Sequence, residues 1–240
     1  MTPLRFGWGS CTVGVGLSVR KAVAYRGGMA KPRSPKGRAQ RVHELLKDEY
    51  EAICELDHTN PFELLTATIL SAQCTDVRVN MTTPALFERF PDAQALAIAD
   101  EVEVQELVRS TGFYKSKARN LLGMANALLD KHEGDVPTTV KDLTALPGVG
   151  RKTANVVRSV AFGLPGLPVD THVKRLAHRL EITQLDDPVK IEMAINPMIP
   201  QDERGEFSLR VILHGRRVCF ARKPNCGECV LNDFCPSAEV

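Results

Sequence analysis

The apolar positions of this chain recur three and four residues apart rather than in alternation, which predicts helices. Asn60-Pro61-Phe62-Glu63 has the form of a helix start: Asn as cap, Pro at the first helical position, Glu able to reach back. Leu64, Leu65, Thr68 and Ile69 follow at helical spacing. Asp100-x-x-Glu103 opens a second helix, closed by Gly112. Lys117 to His132 forms a third, with Leu121, Leu122, Ala125, Leu128 and Leu129 on one face and Gly134 after it. Thr139-x-x-Asp142 starts a short helix, and Gly150 to Phe162 a longer one that Gly163 ends. Val173, Leu176, Ala177 and Leu180 make an apolar stripe just after Asp170. No persuasive run of alternating strand positions interrupts the series, so the expected class is all-α with short loops.

Length and charge refine this picture. At 240 residues the chain can bury a sizeable core in one large or two small domains. No run of 18 apolar residues exists. Residues 1 to about 37, rich in Gly, Pro, Ser and Arg, read as a flexible extension, and Met29 is an alternative start within it. The opening segment resembles a secretion signal only superficially, because four glycines break its apolar core and no small-x-small cleavage site follows. The net charge of +2 conceals an asymmetry. Residues 1–43 carry nine Lys/Arg and no acid, leaving 22 basic and 29 acidic residues for the rest. A basic arm on an acidic body suits a polyanionic partner.

Cys219, Cys226, Cys229 and Cys235 fall within seventeen residues, interleaved with Arg216, Arg217, Arg222 and Lys223. Four thiolates so close repel unless something binds them. Zinc favours closely spaced pairs, of which there is one here. An iron–sulfur cubane also takes four thiolates, although this spacing is unlike the ferredoxin runs. Two disulfides or four packed thiols are the alternatives without metal, disfavoured by the missing secretion signal.

Leu146-Pro147-Gly148-Val149-Gly150 forms a turn between two helical patterns. Two glycines two apart permit left-handed backbone and leave no side chain over the turn. Its amides, beside a helix N-terminus, can bind phosphate. From Arg151 to Arg179 there are six bases (Arg151, Lys152, Arg158, Lys174, Arg175, Arg179) and one acid, Asp170. Such a cluster points to a grip on the DNA backbone, and a solvated basic helix face would give the same count. Lys152 falls in the first helical turn, where the helix dipole, Arg151 and partial burial are each expected to favour a neutral, nucleophilic amine. Taken alone it reads more readily as a phosphate-pairing point charge. Asp170 suits a helix N-cap, a role compatible with catalysis. His172 is a candidate ligand or acid–base group, although a His in such a place more often hydrogen-bonds locally.

Together, Leu-Pro-Gly-Val-Gly-Arg-Lys-Thr-Ala (146–154), Val-Asp-Thr-His-Val (169–173) and the cysteine spacing resemble the endonuclease III family of DNA glycosylases. Residues 70–80 and 111–118 resemble it too, and the likeness runs from about 38 to 236. The resemblance implies two helical lobes. A six-helix barrel covers about 54–164 and carries a helix-hairpin-helix at about 139–162; a [4Fe-4S] lobe combines 38–53 with 165–240. It implies a bifunctional enzyme that removes oxidised pyrimidines from double-stranded DNA and nicks abasic sites by β-elimination. Lys152 would be the nucleophile and Asp170 the essential carboxylate. Gln73 and Phe113 would fill the space left by the flipped nucleotide. Ser71, Asp76, Tyr114 and His172 would lie near the base pocket. Gly148, Gly150, Arg151, Arg216, Arg217, Arg222 and Lys223 would contact DNA, and the four cysteines would hold the cluster as a structural group. The resemblance further implies a monomer in the bacterial cytoplasm, associated with the nucleoid and not with membrane. Cys74, next to Gln73, departs from the expected pattern. Adenine-removing relatives lack the lysine found here at 152.

Overall fold

The computed structural model describes residues 31–239. Most of the expected N-terminal extension, with Met29 and the opening apolar segment, lies outside the described residues. The first helix, α1, covers Pro35–Glu49 and so begins earlier than the extension was expected to end. Ser34 caps it by accepting from the Gly37 amide, and Pro35 supplies the preset φ of a first turn.

Ten more α-helices follow among the described residues: α2 (Pro61–Leu70), α3 (Asp76–Arg89), α4 (Ala93–Ala97), α5 (Glu101–Val108), α6 (Tyr114–His132), α7 (Val140–Thr144), α8 (Arg151–Ala161), α9 (Thr171–Arg179), α10 (Pro188–Ile195) and α11 (Arg204–Arg217). Among these residues there is no strand, and no helix is long and apolar enough to cross a membrane. Local chemistry sets the boundaries. Asn60 caps α2 through the Glu63 amide at 2.9 Å, while the Glu63 carboxylate reaches one residue past the cap to the Thr59 amide at 2.6 Å. Helix α5 tightens into a 3₁₀ turn, Arg109–Thr111, before Gly112 turns left-handed at φ 72°.

Two hydrophobic cores form. Leu64, Leu65, Leu70, Leu86, Leu121, Met124, Leu128, Leu143 and Val157 centre the first, built from α2 to α8. The second joins Val42 and Leu46 of α1 to Leu167, Val173, Leu176, Ile191, Phe207, Val211 and Leu231. Each buried side chain of this size contributes about 2 kcal/mol. The early helix α1 thus completes a core made mainly by the last third of the chain. The two cores meet where α8 packs on α11 and on the segment leading to α9. A Cβ at Gly205 would lie 2.5 Å from Ser159 Cβ, and one at Gly166 would lie 2.6 Å from the Asn155 carbonyl oxygen. The backbones therefore approach more closely there than a side chain permits. A cleft opens beside this junction.

Candidate active site and flanking loops

The cleft is walled by six segments. The link from α1 to α2 contributes Cys54 and Glu55; α2 contributes Thr68, with Ser71 just past its end. Asp76 opens α3, Lys152 lies in the first turn of α8, Asp170 caps α9, and Leu213 and Arg216 come from α11. Lys152 and Asp170, eighteen residues apart in sequence, thus share one cavity wall. A larger hollow of about 430 Å³ lies between Pro61, Pro91 and Phe162, and contains neither residue.

Lys152 is exposed, contrary to the expected partial burial. Its distinction is electrostatic. Arg151 makes a bidentate pair with buried Glu192, at 2.7 and 2.9 Å. Arg158 donates to the carbonyls of Thr138 and Pro165. Lys174 pairs with Asp186. Arg175 donates to the carbonyls of Gly215 and Cys219, and Arg179 to those of Phe220 and Ala221. Five of the six bases are thus engaged by carboxylates or carbonyls of the protein itself. Among the described residues nothing binds the Lys152 Nζ by hydrogen bond or ion pair.

Asp170 is held from two sides. Its Oδ1 accepts from the amides of His172 and Val173 at 2.8 and 2.9 Å, capping α9. Its Oδ2 meets His172 Nδ1 at 3.1 Å. The His172 ring packs against Gly215, where a Cβ would come within 2.9 Å of His172 Cβ. A carboxylate bonded to two amides and an imidazole keeps one rotamer, and its remaining lone pairs face the cleft. Ser71 and Asp76 line that cleft. Asp76 does so already paired with Arg216 at 2.7 Å. Arg216 also contacts Glu55, and so does Arg217 at 3.2 Å. Neither Glu55 nor Glu192 is marked in the sequence, because each lies far along the chain from its arginine, 161 residues for Glu55 and Arg216 and 41 for Glu192 and Arg151. Tyr114 is not part of the cleft wall; its ring lies under Arg109, 5.7 Å away.

The hairpin joins α7 to α8. Gly148 has φ +77°, and a Cβ there would lie 2.8 Å from Asn120 Cβ. Gly150 caps α8 with no side chain, and the space where its Cβ would be is open. The first-turn amides of α8 therefore face outward without a capping partner, in a form suited to phosphate. Gly148→Ala combines left-handed strain of about 1–2 kcal/mol with a clash. It is expected to lower the melting temperature by several degrees and to weaken binding to a duplex carrying an abasic-site analogue. Gly150→Ala has the room and the φ (−89°) for a Cβ, and is expected to melt with the wild type.

Gln73 (φ 52°) and Phe113 (φ 50°) both adopt left-handed backbone, rare for residues with side chains and costing about 1 kcal/mol or more each. Both are exposed, Phe113 by 68%. A large apolar ring in solvent on a strained turn is not there for packing. Arg222 and Lys223 are exposed on the loop after Cys219, with Lys223 left-handed as well (φ 51°).

Cys219, Cys226, Cys229 and Cys235 line one small, apolar cavity and form no disulfide. Burial, with the three neighbouring sulfurs, pushes the Cys229 thiol up to about 12, so that thiol ionises only beside a cation. A single zinc would draw the sulfurs to about 3.8 Å from one another. Among the described residues no three His, Cys, Asp or Glu side chains converge in that way. Four thiols gathered around one small cavity fit a polynuclear iron–sulfur group. Two further groups address its sulfurs: Arg179 Nη1 lies 3.1 Å from Cys219 Sγ, and buried His214 Nε2 lies 3.4 Å from Cys229 Sγ.

Residues 66–201 match the HhH-GPD superfamily base excision DNA repair protein, and residues 219–235 match the iron-sulfur binding domain of endonuclease III. Endonuclease III of Synechocystis is 52% identical over 214 residues, which is 88% of this chain and 98% of that protein. Endonuclease III of Escherichia coli K12 is 40% identical over 77% of this chain and 88% of its own length. A non-covalent endonuclease III–DNA complex superposes with a TM-score of 0.81 at 41% identity, covering 85% of this chain and 96% of that one. A trapped endonuclease III–DNA covalent intermediate gives 0.80 at 42% identity over the same shares. With the cleft lysine, its capped aspartate, the hairpin and the four-thiol cavity in place, the chain belongs to the endonuclease III family: it is a base excision repair enzyme, a DNA glycosylase and AP lyase with a [4Fe-4S] cluster.

Proposed function

We propose that Lys152 is the nucleophile and Asp170 the carboxylate that serves it, acting on oxidised pyrimidines and abasic sites in double-stranded DNA. The observation that carries this reading is the shared cleft, in which an uncommitted amine stands beside a carboxylate locked by three hydrogen bonds. The amine of Lys152 forms a bond to C1′ of the deoxyribose as the glycosidic bond breaks, and the base leaves with that electron pair and takes up a proton. Opening of the sugar ring then gives the Schiff base. Loss of a C2′ proton expels the 3′ phosphate by β-elimination. The Asp170 carboxylate stabilises positive charge developing on the sugar and on the amine.

Ser71 and Asp76 border the space for the flipped base, and His172 fixes Asp170. Tyr114 acts from outside that space. Gln73 and Phe113 enter the vacated stack, one offering an amide to the orphaned base and the other an apolar wedge. The amides at Gly148 and Gly150 and the side chains of Arg222 and Lys223 hold phosphates. Arg151, Arg216 and Arg217 act mainly through their carboxylate partners, as struts around the cleft. The helices from α2 to α8 form the barrel lobe, and α1 with residues 165–240 the cluster lobe. The enzyme works as a monomer on nucleoid DNA in the bacterial cytoplasm.

Duplexes bearing thymine glycol or dihydrouracil are expected to be cleaved, leaving a β-elimination end, and intact duplex is not. Asp170→Asn is expected to retain its cap and bind abasic duplex within about threefold, since an amide oxygen still accepts both backbone bonds. Single-turnover excision should fall by a factor on the order of 10²–10³, the loss of one preorganised charge. Excision by Asp170→Asn at the wild-type rate removes Asp170 from the mechanism.

A further inference from the structure

Lys117 is a lysine with almost no access to water, 4% exposed, and the glycosylase and lyase steps do not use it. Its Nζ donates to the Leu70 carbonyl at 2.8 Å and to the Thr111 carbonyl at 2.8 Å. Leu70 is the last residue of α2, three before Gln73. Thr111 ends the 3₁₀ turn, two before Phe113. The backbone amide of Lys117 adds a third tie, bonding the Phe113 carbonyl at 3.0 Å. One ammonium thus joins the stalks of two strained loops, forty residues apart in sequence, that carry the two side chains assigned to the vacated duplex position.

The chemistry favours a coupling device over simple packing. Both carbonyls lie at helix ends, where no backbone amide of the ladder reaches them. The C-terminal end of a helix dipole attracts a cation. Burial lowers the pKa of Lys117 from the usual lysine range, so the charge is kept at a cost. An apolar residue of the same length would fill the space without that cost. What it would lose is a pair of charge-assisted hydrogen bonds converging on one atom.

We propose that Lys117 is a positioning residue that couples the Gln73 loop to the Phe113 loop, so that both side chains enter the duplex together. The proposal rests on the assignment of Gln73 and Phe113 to the vacated stack, and its test separates the two ideas. Gln73→Ala and Phe113→Ala test the assignment: if neither slows excision of thymine glycol from a duplex, that assignment fails and the coupling falls with it. Given that both do, Lys117→Met in the holo protein tests the coupling. Single-turnover excision from the duplex is expected to fall by about 30-fold, the loss of roughly one charge-assisted hydrogen bond's worth of transition-state stabilisation. 2-Aminopurine placed opposite the lesion should lose its fluorescence rise, because the orphaned base is no longer met. The borohydride adduct with an abasic site in single-stranded DNA, which has no stack to fill, should stay within twofold. Introduced into a Gln73→Ala/Phe113→Ala background, Lys117→Met should cost less than about threefold further, because coupled residues are not additive. A wild-type duplex rate overturns the coupling. So does a parallel loss on duplex and single strand, or the full 30-fold loss in the double-variant background. If Lys117→Met fails to fold, Lys117→Leu, which likewise donates no hydrogen bond, takes its place in the same measurements, and the same results support or overturn the coupling.

Discussion

Lys152→Ala is expected to give a folded, yellow-brown protein that binds abasic duplex DNA and never becomes covalently attached to it under borohydride. The fold has little stake in this side chain. It is exposed, and no described residue accepts from its Nζ. Surface changes of this kind move stability by about 0.5 kcal/mol or less. On the proposed assignment the chemistry has no substitute for it. The other five bases near the hairpin are engaged with carboxylates or carbonyls, and all three hydrogen bonds of Asp170 remain in the variant. Removing a covalent nucleophile costs on the order of 10⁴–10⁶ in rate. Strand cleavage at abasic sites should therefore fall to background, while affinity for an abasic analogue changes by no more than about threefold, one exposed charge in a multi-contact interface. An adduct of wild-type yield from Lys152→Ala would transfer the role to another amine. Lys174 is the next lysine along the chain, and its pairing with Asp186 predicts that it cannot take over.

Much of the fold and site is legible in the sequence, for reasons that differ from residue to residue. Helix starts are readable because caps are local: Asn60, Asp100, Thr139 and Asp170 each accept from amides two or three residues on. The α9 stripe is readable because its spacing keeps Val173, Leu176, Ala177 and Leu180 on one buried face. Phe113 is not readable as a left-handed residue, because strain imposed by a 3₁₀ turn and the following helix has no signature in residue type. Nor is the fate of the basic cluster. Charge counts ignore partners supplied from a distance, and Glu192 is 41 residues from Arg151. Lys117 does carry a signal. It stands one helical turn ahead of Leu121, on the stripe that continues through Ala125 and Leu128, all buried. A lysine on a core-facing stripe announces that something polar must meet it inside. What the sequence lacks is the identity of the partners, because both are main-chain carbonyls.

Cys229→Ala is expected to have the largest effect on stability of any single change in the chain, and to carry DNA affinity with it. The four-thiol segment has little else to hold it. It contains one short 3₁₀ turn, Cys226–Glu228, and buries a single large side chain, Leu231, in the second core. Cross-linking the four thiolates through one cluster would supply the energy that its packing lacks, and bound metal contributes on the order of 10 kcal/mol in small sites of this kind. Without it, residues 218–235 lose their anchor, and Arg179, whose guanidinium contacts the Cys219 sulfur and two carbonyls of that loop, loses its partners. The variant should lose the visible iron–sulfur absorption and melt far below the wild type. Arg222 and Lys223 would no longer be presented to phosphates. Affinity for duplex should then fall by at least tenfold at moderate salt, and the dependence of log affinity on log salt should flatten by about two phosphate contacts. The double variant Arg222→Ala/Lys223→Ala isolates the electrostatic share: it should show the same flattened slope with the cluster's absorption and the melting temperature intact. If it binds with the wild-type slope, the loop's charges face away from the DNA and the cluster's contribution is to the core alone. If Cys229→Ala keeps its colour and its affinity, the fourth thiolate is not a ligand. The cavity that gathers four sulfurs around one volume argues for the opposite result.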